Sequence, residues 1–239
     1  LPNHTPSNTA GTITSETKAN SFMSAVSYTG TGVAGSVGHG LGNVPELVII
    51  KPRDIANSWR VYNKSLTSDY ALDLDSTVAQ YLNANAFDGM TSTTIGIGAY
   101  TGTNRDTENI IAYAFTSVAG KCKVGSYTGT GADNFQDVGF DIGFLLVKRV
   151  DTAADWFIFD DERGTDVILQ PNTSSVEQSG YTPNMDITTV SGFTAKGTSG
   201  VTNASGGTYI YLAIAKEVDN ITPKYDLTYP TQTAPTRIA

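Results

Sequence analysis

Three separate segments of this chain return in the same order at an offset of 97–99 positions, and that internal repeat restricts the possible folds more than any other feature. Ser27-Tyr28-Thr29-Gly30-Thr31-Gly32 recurs unchanged as Ser126-Tyr127-Thr128-Gly129-Thr130-Gly131. Glu46 through Asp54 matches Gly143 through Asp151, and Trp59 and Trp156 follow at the same distance. Asn109 through Phe115 then matches Thr208 through Ile214. A duplicated unit of roughly a hundred residues is the size of an ordinary domain. The chain of 239 residues therefore divides into an N-terminal arm (1–20), one β module (21–118), a second (119–218) and an extended C-terminal arm (219–239).

Each copy reads as short strands separated by turn residues. Charged residues make up only 16% of the chain, and Thr, Ser, Asn and Gly stand where a helical protein carries Glu, Lys and Ala. Leu47 to Lys51 is apolar at consecutive positions, as are Ile110 to Phe115 and Tyr209 to Ala215. An alternating strand has one wet face; these predict central strands covered on both faces. Shorter strands are expected at 59–62, 71–74 and 93–97, with a short helix over 76–83. No three-turn amphipathic helix separates the strands, which excludes a parallel βαβ fold. The expected class is all-β: two tandem repeated β-sandwich modules, jelly-roll-like, with extended arms. Residues 1–20 lack apolar periodicity. Pro223, Pro230 and Pro235 keep the last segment out of a sheet interior, so that arm is expected to lie on a neighbour, as a strap between subunits.

Charge and cysteine content narrow the function. A formal net charge of −8, with Lys and Arg scattered, predicts no nucleic-acid binding. No apolar run reaches the eighteen or so residues that span a bilayer, so no membrane insertion is expected. No stretch reads as a signal peptide, and the sequence opens on Leu1, as expected of a processed or partial chain. Cys122 is the single cysteine. It lies in a strand-like stretch and reads as a buried, inert thiol. Asn-X-Ser/Thr triplets stand at Asn3, Asn63, Asn172, Asn203 and Asn220, and because a chain this rich in Ser and Thr produces several by chance they carry almost no weight as a sign of glycosylation.

Reactive side chains are few. The histidines are His4 and His39; His39 sits among glycines, and the second copy has none in the corresponding stretch. Asp155, Asp160, Asp161 and Glu162 are the densest acidic group. Two carboxylates could hydrolyse a glycosidic bond or hold Ca²⁺, yet Asp160, Asp161 and Glu162 align with Asn63, Lys64 and Ser65, so the favoured reading is an exposed acidic turn. Trp59 and Trp156 share strand faces with Val61 and Ile158 and belong to the core. Tyr28 and Tyr127, beside Gly-Thr-Gly turns, are better placed for exposure, and Tyr100 in Tyr100-Thr101-Gly102-Thr103 resembles them. Lys51 with Asp54, and Lys148 with Asp151, read as a structural lysine followed by an Asx turn. The candidate ligand-binding residues are thus Tyr28, Tyr127, Tyr100, Asp155 and Asp160. No catalytic residue, metal ligand or cofactor is assigned, and the chain is not expected to be an enzyme.

Val26 to Gly32, Gly40-Leu41-Gly42, Pro45 to Lys51, the following Trp and the run Asn203 to Ile210 resemble a repeated module of bacteriophage virion proteins, especially tail-fibre-like and surface proteins of marine phages. The resemblance covers residues 22–216. It implies an extracellular place on the virion surface, as a tail fibre, adhesin or decoration protein. Identical chains and other virion proteins would be its partners, with attachment to host-surface glycan. A secreted bacterial carbohydrate-binding module and a subunit of an extracellular filament are the alternatives. Loops that differ between the copies, such as Arg105 to Glu108 against Ala204 to Gly207, are where specific binding is expected.

Overall fold

A computed structural model describes residues 3–164, 167–179 and 185–216. The first part of the chain forms β1 (Asn3–Asn8), β2 (Ser15–Ala19), β3 (Met23–Thr29), β4 (Gly35–Gly38), β5 (Leu47–Pro52), β6 (Arg60–Asn63), β7 (Tyr70–Asp73), β8 (Tyr81–Leu82), β9 (Phe87–Met90), β10 (Thr94–Ile97), the single-turn helix α1 (Thr101–Asn104) and β11 (Asn109–Phe115). The second part forms β12 (Cys122–Thr128), β13 (Asn134–Asp137), β14 (Ile142–Arg149), β15 (Trp156–Asp160), β16 (Met185–Asp186), β17 (Gly192–Ala195) and β18 (Thr208–Ala215). The protein is all-β and sandwich-like, and its paired strands run antiparallel.

A large sheet of order β1-β2-β3-β11-β5-β6-β7-β8 faces a small sheet β4-β10-β9, and a four-stranded sheet β12-β18-β14-β15 faces a small sheet β13-β17-β16. Matched through the repeated segments, β3-β11-β5-β6 and β12-β18-β14-β15 have the same order. Between each large sheet and its small sheet lies a core of its own. Val26, Val48, Ile50, Ile95, Ile97 and Ala112 fill the first; Leu145, Val147, Phe157, Phe159, Phe193 and Tyr211 fill the second. A third core joins the two halves. Leu47, Ile49, Val61, Leu72 and Phe115 of the first large sheet pack against Cys122, Val124, Leu146, Trp156, Ile210 and Leu212 of the second.

The consecutive apolar runs acquire their meaning here, because side chains alternate along a strand. Val48 and Ile50 point into their own core while Leu47 and Ile49 point into the shared one. Tyr209, Tyr211 and Ala213 point inward while Ile210 and Leu212 point across. Polar groups tie the same seam. The indole N–H of Trp156 donates to Asp73 O at 2.9 Å, Gln80 N–H to Val150 O at 3.0 Å and Ala154 N–H to Thr77 O at 2.8 Å. Lys148, fully buried, donates its ammonium to Thr77 O at 3.0 Å and to Ala154 O. Trp156 is in the core as expected, in the shared one; Trp59 packs at its margin, with the Lys51 ammonium 5.7 Å from its ring centre.

Three expectations are corrected. Residues 3–19 are no free arm: β1 and β2 form a hairpin that extends the large sheet, with Glu16 paired to Ser27 and Lys18 to Ala25. The strand escaped apolar periodicity because its buried positions are Ser15, Thr17 and Ala19, small enough to lie against the glycine-rich 38–40 stretch. The segment 76–83 is not helical, since its backbone is spent on bridges to the other half, and the only helix among the described residues is α1. Asp54 and Asp151 form no local Asx turn. Each accepts the first N–H of the last strand of its half, Asn109 at 2.9 Å and Thr208 at 3.0 Å. The expected C-terminal arm, 219–239, lies outside the described residues. Among those described, no helix is long and apolar enough to cross a membrane.

With a core shared between halves, chemical denaturation should give one transition, coincident by tryptophan fluorescence and circular dichroism. Trp156→Ala should lower stability by about 3–5 kcal/mol without splitting it. Burial pulls the Lys148 ammonium down to about 8, with Asp155 opposing. Between that value and the usual lysine value the unfolded chain binds the proton and the folded chain does not, so stability should rise as pH climbs from about 8 toward 10. The rise should be missing in Lys148→Met, measured by urea midpoints across that range.

Candidate functional site

The strands bring two clefts to equivalent places, one in each half, where β6 and β15 run out toward β9 and β16. In the first half the wall of a cleft of about 340 Å³ includes Tyr62, Asn63, Asp69, Tyr70, Asn83 and Phe87. Tyr62 and Phe87 pack ring to ring at 5.6 Å and 54°, half-buried between the first core and this cleft. Asp69 is held at φ 65°, a left-handed conformation that short acidic side chains tolerate. Its carbonyl accepts Asn83 N–H at 2.8 Å and so closes the rim. The Asp69 carboxylate and the Asn83 amide bond to nothing among the described residues. Asn63 is 2% exposed; its Oδ1 accepts Ser65 N–H at 2.9 Å, while Nδ2 is buried with no acceptor. An unpaired buried donor costs about 1–3 kcal/mol. At the rim, Lys64 is anchored to Glu46 at 2.6 Å. Burial opposes ionisation of Glu46, but hydrogen bonds from Lys64 and Ser117 hold its carboxyl below the usual range. Burial, helped by the Glu46 charge, keeps the Tyr62 phenol protonated.

The second cleft, of about 250 Å³, is lined by Asp141, Asp160, Asp161, Ile187, Thr188 and Lys216. Register explains the change. Leu47 pairs with Asn63 in the first half and Phe144 with Asp160 in the second, so Phe159, 1% exposed, replaces Tyr62 and Asp160 replaces Asn63. Asp160 is held by Arg163, with Nε 2.7 Å away; burial works against its ionisation, but this bond keeps the carboxyl low. Asp161 pairs with Lys216 at 2.8 Å. Among the described residues no three His, Cys, Asp or Glu side chains gather as a metal site. A wider concavity of about 550 Å³ at the β2–β3 end has polar walls, including Thr14, Glu16, Arg53 and Asn109; its one aromatic, Tyr28, is buried.

The residues singled out in the sequence scatter. Tyr28 and Tyr127, expected at the surface, are each 6% exposed. Their hydroxyls donate to Thr103 O and Thr202 O, both at 2.6 Å, and burial pushes both phenols far above the ordinary tyrosine range. Tyr100 is half-buried and donor-bound rather than free: the Arg60 guanidinium lies 5.1 Å from its ring centre and donates to its hydroxyl at 2.6 Å. Arg60 also bonds Asp73 and Tyr81. This cluster exists in the first half alone, since Phe157 takes the place of Arg60. Asp155 accepts Gln170 and Asn172 amides at 2.9 and 2.7 Å, at the opposite end of β15 from Asp160, so the two do not converge. Cys122 is buried, and burial pushes its thiol up to about 12. Asn63 and Asn203, both in glycosylation triplets, are buried.

A family model, Domain of unknown function (DUF7483), matches residues 2–218. The chain belongs to this family. The DUF7483 match runs through both repeated segments and the β1–β2 hairpin. No curated protein and no solved structure matches the chain.

One pair of DUF7483 residues went unnoticed in the sequence. Asn104 and Asn203, both fully buried, stand in matching places behind the Gly-Thr-Gly turns. Asn104 Oδ1 accepts Thr31 N–H at 2.9 Å, and its Nδ2 donates to Val33 O and Gly98 O at 2.7 and 3.0 Å. Asn203 accepts Thr130 N–H at 3.0 Å and donates to Ala132 O and Gly197 O at 2.6 and 2.8 Å. The signal was present: Thr103-Asn104 repeats as Thr202-Asn203 at the same offset as the Tyr-Thr-Gly segments. The turns also explain their glycines, for a Cβ at Gly30 would lie 2.0 Å from Arg105 O and at Gly129 2.1 Å from Ala204 O.

His39 is likewise structural. Its Nε2 can only donate to Thr91 O, 3.1 Å away, so Nδ1 is the unprotonated nitrogen that accepts Leu41 N–H at 3.1 Å. Burial lowers its proton affinity, and the Thr91 bond opposes this. The unfolded chain therefore takes up this proton first. Stability should fall as pH drops below the usual histidine value near 6.5, and urea midpoints between pH 7 and 5 should change less in His39→Gln.

Proposed function

We propose that this chain is a structural protein of a bacteriophage virion surface (a tail fibre, adhesin or decoration protein) that assembles with like chains and attaches to host-surface glycan without catalysis. In this reading residues 21–118 and 119–218 are two tandem copies of one jelly-roll-like module, packed back to back. The matching strand orders, the matching Tyr–Asn locks and the sequence resemblance support it. Further support comes from the reactive groups: His39, Cys122, Asp155 and Asp160 each have a structural partner or a buried place.

The aromatic cleft of the first module carries the glycan assignment. Tyr62, Tyr70 and Phe87 offer ring faces suited to the C–H side of a pyranose. Asp69 and Asn83 offer hydrogen-bonding groups that the protein leaves unused, matched to hydroxyls that donate and accept. A cleft of 340 Å³ suits one or two sugar rings. The second module, with its carboxylates already paired to Arg163 and Lys216, serves as scaffold.

On a glycan array the chain should give selective hits. For the best hit, Tyr70→Ala and Phe87→Ala should each weaken binding about tenfold or more, while Asp161→Ala in the other cleft leaves it unchanged. An array without hits sinks the attachment role. Absence of the chain from purified, peptide-mapped phage particles sinks the virion assignment.

A further inference from the structure

The two clefts differ in how their charges are balanced. In the second, every carboxylate of the wall has a partner: Asp160 is bound by Arg163, with Nε 2.7 Å away, Asp161 by Lys216 at 2.8 Å, and Asp141 accepts Ser191 N–H at 3.1 Å. In the first, the cation of the wall is Lys64, and Glu46 holds it at 2.6 Å. Glu46 is fixed in turn, since its other oxygen accepts Ser117 N–H at 3.0 Å. The carboxylate of the wall is Asp69, which is exposed and forms no ion pair among the described residues. Asp88, between Phe87 and Gly89 of the same wall, is a second exposed carboxylate without an ion pair among them. The first cleft is thus left with negative charge that the protein does not neutralise.

Asp69 is also fixed in place. Its backbone is held at φ 65°, its carbonyl accepts Asn83 N–H at 2.8 Å, and the next residue, Tyr70, donates its N–H to Thr67 O at 3.0 Å. The side chain therefore leaves the rim from a set point, one turn away from the aromatic wall.

Charge decides which sugars such a wall accepts. A sugar bearing a carboxylate, sulfate or phosphate would set like charges side by side. A neutral sugar can donate hydroxyls to Asp69, but it displaces water from the carboxylate without supplying a counter-charge, and an ionised group taken out of water unpaired is penalised. An ammonium group supplies hydrogen-bond donors and the opposite charge together, and such charge-assisted bonds are the strong ones. The aromatic side chains of the wall favour the same sign, because ring faces are electron-rich. A formal net charge of −8 on the whole chain draws in cationic ligands and repels anionic ones. We propose that the first cleft selects glycans carrying a free ammonium group, as non-acetylated amino sugars do, with Asp69 as the residue that reads the charge. This rests on the reading of the cleft as a glycan site and names the class of sugar it takes.

The test applies the full chain to an array on which each amino-sugar oligosaccharide is printed twice, as the free amine and after N-acetylation, beside neutral, carboxylated and sulfated glycans. The free amine should bind about fivefold or more tighter than its acetylated twin. That difference should shrink as salt rises from about 0.01 M to about 1 M, over which the screening length falls from about 30 Å to about 3 Å. Asp69→Asn keeps a residue that tolerates the left-handed backbone; it should abolish the difference and leave binding of the acetylated twin unchanged. Asp69→Gly suits the same φ and replaces it if circular dichroism shows the first variant unfolded. Asp161→Asn removes an equal charge from the other cleft and should leave the preference intact. Equal losses in the Asp69 and Asp161 variants mark a diffuse attraction of the acidic chain and overturn the proposal. Equal binding within every pair, or hits confined to neutral or acidic glycans, overturn it too but leave the cleft as a glycan site. An array without hits overturns both readings.

Discussion

Each large sheet turns toward the other half a face as apolar as the one it turns toward its own small sheet. Leu47, Ile49, Phe115, Val124, Leu146, Ile210 and Leu212 could not stay in water on a lone sandwich without presenting an apolar patch. Their mutual burial is the constraint on which the arrangement depends. Burying a Leu or Ile side chain is worth about 1.5–3 kcal/mol, and the seam holds many. The polar groups within it answer to the same requirement. The Trp156 indole N–H, the Lys148 ammonium and the backbone of residues 73–80 each find a partner across the boundary, because an unpaired polar group there would offset much of the apolar gain. The segment 76–83 thus follows the needs of the other half and not its own helical propensity.

Within each half the Tyr–Asn pairs perform a different task. Tyr28 and Tyr127 span the core and fix the carbonyls of Thr103 and Thr202, while the adjacent Asn104 and Asn203 gather the Gly-Thr-Gly turn and the strand ends around one amide. All these groups are buried, so the lock does not depend on what solvent-facing loops carry. The loops just outside it are free to differ, as Arg105 to Glu108 and Ala204 to Gly207 do. Divergence of the two clefts follows the same logic. Exchanging Tyr62 for Phe159 moves an aromatic ring from the cleft wall into the core, and exchanging Asn63 for Asp160 recruits Arg163 as a partner.

How much of this could be read from the sequence depended on what each residue buries. Consecutive apolar strands announced two covered faces, and Trp156 and Cys122 were correctly placed inside because size and hydropathy suffice for that inference. The β1–β2 hairpin was missed since Ser15, Thr17 and Ala19 fill a shallow space beside glycines, where large apolar groups would not fit. Tyr28 and Tyr127 were placed outside because a tyrosine beside a turn can go either way. Only the distant carbonyls of Thr103 and Thr202, 75 positions along the chain, settle the direction. Arg60 was invisible for a related reason: a lone arginine at the start of a strand signals nothing until Asp73, Tyr81 and Tyr100 arrive from three other elements to surround it.

The repeated segments and the candidate cleft fall on different residues of this chain. A residue that recurs in both halves sits in packing that both halves share, and such packing leaves the side chain no freedom to meet a ligand; Tyr28 and Tyr127 show this directly. Unused hydrogen-bonding capacity at the surface of the first cleft belongs to Asp69 and Asn83, which have no counterpart in the lining of the second cleft. The positions that differ between the halves are therefore the ones that packing leaves free, and the proposed cleft lies among them.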